Sequence, residues 1–153
     1  MKVALIGHGM VADTHVRAIS DSSIVSLHGL LGRTPARAAA FLERFGSDAV
    51  IYEDIAALCD DAEIDFAIVT TPPNARRAII EDLADAKLPL LMEKPVERTL
   101  AAATEIAELG EARNVLTGVL LQHRAREASR ALKRLILDDG IGDLVAAEIR
   151  VPW

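Results

Sequence analysis

Short runs of consecutive apolar residues alternate along this chain with longer stretches in which apolar residues recur every three or four positions. Val3-Ala4-Leu5-Ile6 is the first run and predicts a strand buried on both faces. Met10 to about Ser20 reads as a helix, closed by the polar stretch Asp21-Ser22-Ser23. Ile24 to Leu31 predicts a second strand, with Gly32-Arg33-Thr34 as the turn after it. Thr34 is then placed as an N-cap before Pro35; Ala38, Phe41, Leu42 and Phe45 keep helical spacing, and Gly46 stops the helix. Ala49 to Tyr52 predicts a third strand, and Asp54 begins a short helix through Leu58. Asp65 to Thr70 is a fourth strand, halted by Pro72 and Pro73. Asn74 is expected to cap the next helix, whose apolar face is Ile79, Ile80, Leu83 and Ala84.

Leu88 to Met92 predicts a fifth strand, Thr99 to about Ala112 a helix, and Asn114 to Val119 a sixth strand. Ala128, Ala131, Leu132, Leu135 and Ile136 restore the helical period, which ends near Asp139-Gly140, and Leu144 to Val151 predicts a last strand. Regular strand–helix alternation of this kind implies an α/β fold, a doubly wound parallel sheet with helices on both faces.

Composition narrows the class. The chain has 153 residues, enough for one domain with a real core, and is 51% hydrophobic with only 3% aromatic residues, as expected of strands buried on both sides. Its net charge of -6 offers no basic stripe, which argues against nucleic acid or an anionic membrane as the main partner. Cys59 is the only cysteine, so no internal disulfide forms and a cytoplasmic address is expected. Its place on a short helix reads as a small apolar residue rather than a reactive thiol. Neither a signal peptide nor an apolar run of transmembrane length is visible.

In a doubly wound sheet, ligands sit beyond the carboxyl ends of the strands, so the residues after each strand carry the chemistry. After the first comes Gly7-His8-Gly9-Met10-Val11-Ala12, with the spacing Gly-x-Gly-x-x-Ala. Gly7 suits the tight turn, Gly9 the close approach of a pyrophosphate, and Ala12 close packing of helix on sheet. The N–H groups around Met10 and Val11 then face the phosphates, and His8 lies within reach of them. This is a dinucleotide-binding pattern of the Rossmann type.

After the second strand, an NAD site would carry Asp or Glu for the ribose 2′-hydroxyl. Here Gly32-Arg33-Thr34 stands instead, with Arg37 one turn on. Loss of the carboxylate removes repulsion from a 2′-phosphate, and Arg33 can grip it, so NADP is expected over NAD. The alternative is that Arg33 and Arg37 are ordinary solvated charges.

Thr71-Pro72-Pro73-Asn74, after the fourth strand, offers a rigid backbone to line a cofactor. Glu93-Lys94-Pro95, after the fifth, puts a carboxylate and an ammonium where the nicotinamide end would lie. None of His8, His15, His28 and His123 has a second ligand at metal spacing, so no metal is expected. His123 could face a nicotinamide or serve as a structural hydrogen-bonding residue.

The glycine turn, Thr71-Pro72-Pro73-Asn74 and Glu93-Lys94-Pro95, in this order, together with Gly118 to Arg124 and Ile141-Gly142-Asp143, resemble the glucose–fructose oxidoreductase and inositol dehydrogenase (Gfo/Idh/MocA) family. One departure is Arg77, close to where the family often has a histidine. The resemblance implies NAD(P)-dependent hydride transfer to or from the carbon of a hydroxyl group on a sugar, polyol or related small molecule. It implies Lys94 near the reacting oxygen, as the catalytic residue, and Glu93 near the nicotinamide ribose. Proton transfer by Lys94 would call for a pKa below the usual value of about 10.4, through partial burial or cationic neighbours.

It implies as well that residues 1–123 form the dinucleotide-binding domain. Residues 124–153 would then be the connecting helix and first strand of a truncated α+β substrate and dimerisation domain, with a homo-oligomer as the full-length form. On that reading the fragment alone is inactive, and Leu144 to Trp153 is either mobile or paired with another copy. Two other readings fit parts of the pattern. A catalytically silent dinucleotide-binding sensor or scaffold would not need Lys94, and a methyl donor-binding domain would leave Glu93-Lys94-Pro95 without a purpose.

Overall fold

The computed structural model describes residues 1–150. Six parallel strands, β1 (Lys2–Ile6), β2 (Ser26–Leu31), β3 (Val50–Tyr52), β4 (Phe66–Val69), β5 (Leu90–Glu93) and β6 (Thr117–Leu120), form one sheet in the order β3-β2-β1-β4-β5-β6. The strand order reverses at β1, which has β2 on one side and β4 on the other. Ile6 pairs with both Leu31 and Val69, Val69 with Met92, and Glu93 with Leu120. The carboxyl ends of five strands are therefore level along one rim.

The fully apolar β1 run follows from this geometry, because successive side chains point to opposite faces and both faces are covered. Val3 and Leu5 pack with Ala12, Val16, Phe41 and Leu42 of α1 (Ala12–Ser20) and α2 (Pro35–Glu43). Ala4 and Ile6 share the other core with Leu58, Ile80, Leu83 and Ile106 of α3 (Ile55–Cys59), α4 (Arg77–Asp85) and α5 (Leu100–Arg113). Removing one such side chain, as in Leu83→Ala, costs about 2–5 kcal/mol.

Several local expectations need correction. Thr34 occupies the N-cap of α2 with extended backbone but its side chain makes no capping bond, whereas Asp54 and Thr99 accept from Ala57 N and Ala102 N. Asn74 does not cap α4. Pro72 and Pro73 start a separate 3-10 turn, Pro73–Ala75, which delays the helix so that Arg76 becomes its N-cap residue. Pro89 stays outside β5, where its carbonyl accepts from Ala67 N.

The chain divides after Leu120. Within the second unit, α6 (Gln122–Ala125) precedes α7 (Glu127–Leu137), whose Leu132, Leu135 and Ile136 are exposed. The strand expected from Leu144 is not formed through Arg150, and Val151 lies outside the described residues. A strand needs a neighbour to satisfy its ladder, and none is paired with it among the described residues of this unit. Among the described residues no helix is long and apolar enough to cross a membrane.

Candidate functional site at the carboxyl rim

Gly7 leaves β1 with φ +96°, and a Cβ there would lie 2.9 Å from Thr70 Oγ1 and against the Thr71 backbone. Thr70 Oγ1 donates to the carbonyls of Ile6 and Gly7, both at 3.0 Å, and Gly7 N–H donates to Leu31 O at 2.8 Å. The turn after β1 is thus tied to the ends of both neighbouring strands. Beyond it, α1 begins at Ala12 with Val11 as N-cap and no capping side chain, so the first-turn N–H groups of the helix are without a side-chain acceptor. A Cβ on Gly9 would meet nothing within 4 Å, so the surface opens there. His8, Gly9 and Met10 line an open cleft with Arg37, Phe41, Asp13 and Arg44, of about 480 Å³.

Arg44 was not among the residues singled out by spacing. It pairs with Asp13 at 2.7 Å and stacks over Phe41 and Phe45. Arg33 and Thr34 are exposed at the same rim. The absence of a carboxylate after β2 has a structural counterpart in His8, whose ring lies over Gly32, where a Cβ would fall 2.5 Å from it. His8 and an acidic side chain at residue 32 would compete for one space.

On the other side of the switch point, Thr71 and the turn after β5 are joined by Arg76. Arg76 is 1% exposed, and its guanidinium donates to the carbonyls of Thr71 (2.6 Å), Glu93, Pro95 (2.6 Å) and Val96 (3.4 Å). Burial pulls the Arg76 pKa below its ordinary value, opposed by the charges of Glu93 and Glu97. Arg77, the departure from the family pattern, stands differently. That residue is exposed and pairs with Glu81 and Glu105 on the surface.

The Glu93 carboxylate is held by neighbouring groups. The side chain turns inward, with Oε1 3.0 Å from His15 Nε2 and Oε2 accepting Lys94 N–H at 3.2 Å. Glu93 is 8% exposed and braces the turn that bears Lys94. His15 lies on α1, one turn beyond the glycine loop, and nothing in its linear spacing pointed to Glu93.

The partial burial expected of Lys94 is not found. Its side chain is exposed, with no ion pair among the described residues, and the Lys94–Pro95 peptide is cis. In the loop after β4, Pro72 and Asn74 are exposed around the start of the 3-10 turn.

Buried polar atoms without a partner are rare and point to ligands or functional strain. Among the described residues they are His8 Nε2, Thr71 Oγ1 and Arg76 Nε, and the residues that bear all three lie in or beside the rim loops. Two orphaned polar atoms, an uncapped helix start and open space over Gly9 fit an extended, phosphate-bearing ligand. Cys59 lies elsewhere, on α3, where it donates toward Asp82 O at 3.8 Å. Burial, with Asp82 and Asp60, pushes its thiol pKa up, as befits an inert residue.

Comparison with known proteins bears on the family and the fold. The rhizopine catabolism protein MocA of Rhizobium meliloti is 30% identical over 110 residues, covering 72% of this chain and 34% of MocA. A D-apiose dehydrogenase of Rhizobium rhizogenes is 28% identical over 143 residues, covering 94% of this chain and 41% of that enzyme. The crystal structure of an oxidoreductase from Agrobacterium radiobacter in complex with NAD+, L-tartaric acid and magnesium superposes with a TM-score of 0.85 at 28% identity, over 94% of this chain and 42% of that one. The chain therefore spans well under half the length of these relatives. The model of the oxidoreductase family with an NAD-binding Rossmann fold, Gfo/Idh/MocA, matches residues 1–121, and this chain belongs to that family.

Proposed function

We propose that this chain is the cofactor-binding part of an NAD(P)-dependent oxidoreductase that moves hydride between nicotinamide and a hydroxyl-bearing carbon of a sugar, polyol or similar small molecule. The observation that carries the proposal is the gathering of unpartnered His8 Nε2 and Thr71 Oγ1, the open Gly9 surface and Lys94 on one rim of the sheet. A bound dinucleotide supplies the hydride acceptor or donor. The residues of the chain bind and orient it. Gly7 and Gly9, with the backbone of Met10 and Val11, receive the pyrophosphate at the start of α1. Thr71, Pro72 and Asn74 border its path toward β5.

Lys94 then stands at the nicotinamide end. When hydride leaves a carbinol carbon, the hydroxyl proton must leave as well, and an ammonium at that oxygen stabilises the developing negative charge. Exposure of Lys94 in this chain suits a group that is covered only when substrate and the rest of the site close over it. In the full-length protein, Lys94→Ala is expected to lower kcat by about two to four decades with a smaller change in cofactor affinity. Full turnover by that variant on a panel of polyols and aldoses would refute the assignment.

The cofactor we infer is NADP. Arg33 offers a fork for the 2′-phosphate, Arg37 lines the adjoining cleft, and His8 takes the space that an acidic residue at position 32 would need. A neighbour crystallised with NAD+ shares this fold, so the choice rests on these side chains rather than on the architecture. The whole protein is proposed to be a homo-oligomer, with residues 124–153 beginning its second domain.

A further inference from the structure

Resting on the reading just given, we propose that Arg76 is a positioning residue for Lys94, setting where the ammonium stands relative to the cofactor. The turn from Glu93 to Val96 has an exposed and a buried side. Lys94 and Pro95 project outward, while the carbonyls of Glu93, Pro95 and Val96 all point at one guanidinium nitrogen, Arg76 Nη1. The other nitrogen, Nη2, holds Thr71 O at 2.6 Å, in the loop that follows β4. One planar fork thus couples the turn that bears Lys94 to the loop beside Gly7. Lysine has no comparable geometry, because its ammonium is a single centre that cannot face two loops at once.

A second brace comes from the opposite side, where His15 holds the Glu93 carboxylate and that carboxylate accepts Lys94 N–H. With backbone fixed on both sides, the long Lys94 side chain pivots from a defined Cα, and only its own rotamers remain free. Arg76 itself is fully buried and cannot meet substrate, so its influence on turnover passes through the turn. Its unpartnered Nε is the cost of aiming both terminal nitrogens at carbonyls.

The test uses the full-length protein. Arg76→Lys and Arg76→His retain buried nitrogen donors, so at least one is expected to fold. Leu58→Ala, a core change in α3 away from the rim, serves as a destabilised control. Displacing a reacting group by about 1 Å costs roughly 100-fold in rate. The folded Arg76 variants are expected to lose kcat on that scale while KM for the dinucleotide changes little, and the control is expected to keep its kcat at a temperature where it is folded.

The decisive comparison is the double variant. Arg76→Lys combined with Lys94→Ala should be no slower than Lys94→Ala alone, since the two residues act as one unit. Multiplicative losses, or an Arg76→Lys enzyme with wild-type kcat beside a dead Lys94→Ala, overturn the positioning role and leave the proposed function standing. An active Lys94→Ala overturns both.

Discussion

Two regions of this molecule use similar residue types to opposite ends. At the carboxyl rim, His8 Nε2 and Thr71 Oγ1 are buried without partners, and α1 starts without a side-chain cap. Around the loop that precedes β4, polar groups bond one another. Asp61 accepts from Tyr52 Oη at 2.7 Å and pairs with His28 Nε2 at 3.1 Å, while its other oxygen accepts Glu63 N–H. Lys2 closes the set through Glu63 and through its own N–H to Asp65. His28, Asp61 and Glu63 offer ligand atoms within 4.8 Å of one another, a grouping that linear spacing did not anticipate, and their hydrogen bonds already account for it. One region is built to hold the fold and the other to hold something else.

Glycine substitutions break this comparison most sharply. Gly29→Ala would drive a Cβ to 2.2 Å from the Tyr52 ring, so we expect a loss of about 1–3 kcal/mol in unfolding free energy with dinucleotide affinity unchanged in the folded fraction. Gly9→Val meets open space and should leave the melting temperature unmoved, yet it should weaken dinucleotide binding by about two decades, because the side chain stands where phosphate approaches. Calorimetric titration and thermal melts of both variants read the two effects separately. A Gly9→Val chain with unaltered affinity would remove the site from this rim.

A smaller effect sharpens the choice of cofactor. A charge-assisted hydrogen bond is worth about 1.5–3 kcal/mol, so Arg33→Ala should reduce the ratio of NADP to NAD affinity by about one to two decades. Titrations of both dinucleotides against wild type and variant measure it. An unchanged ratio would return Arg33 to the class of solvated surface charges.

What could be read before the structure was whatever is written locally. The strand runs, the glycine turn and the Glu93-Lys94-Pro95 sequence are contiguous, so their register and period announce them. Arg76, His15 and the Tyr52–Asp61–His28 group are invisible to that logic, since each acts through a partner 9 to 78 residues away. Adjacent Arg76 and Arg77 show how narrow the margin is. The 3-10 turn after Pro72 rotates the start of α4, and that rotation decides which of two adjacent arginines is buried. The final strand failed for a different reason. Its pattern from Leu144 is apolar enough, but pattern supplies no neighbour to bond.

Acidity gives the finest distinction between the two regions. The Asp61 pKa is pulled down to about 2, chiefly by the Glu63 N–H, then by the Tyr52 hydroxyl and His28. A carboxyl group depressed on folding contributes stability that is present above its unfolded value, about 3.9, and is lost as pH falls through the folded one. Melting temperature should therefore decline between about pH 4 and pH 2 in wild type. Asp61→Asn should melt lower than wild type above pH 4, show a shallower slope across that interval, and meet the wild-type curve near its acid end. The same substitution should leave dinucleotide affinity at pH 7 untouched, because the partners of the carboxylate are Tyr52, His28 and Glu63, none of them in the proposed site. Parallel curves for the two proteins, offset by a constant, would mean that the network contributes shape rather than charge.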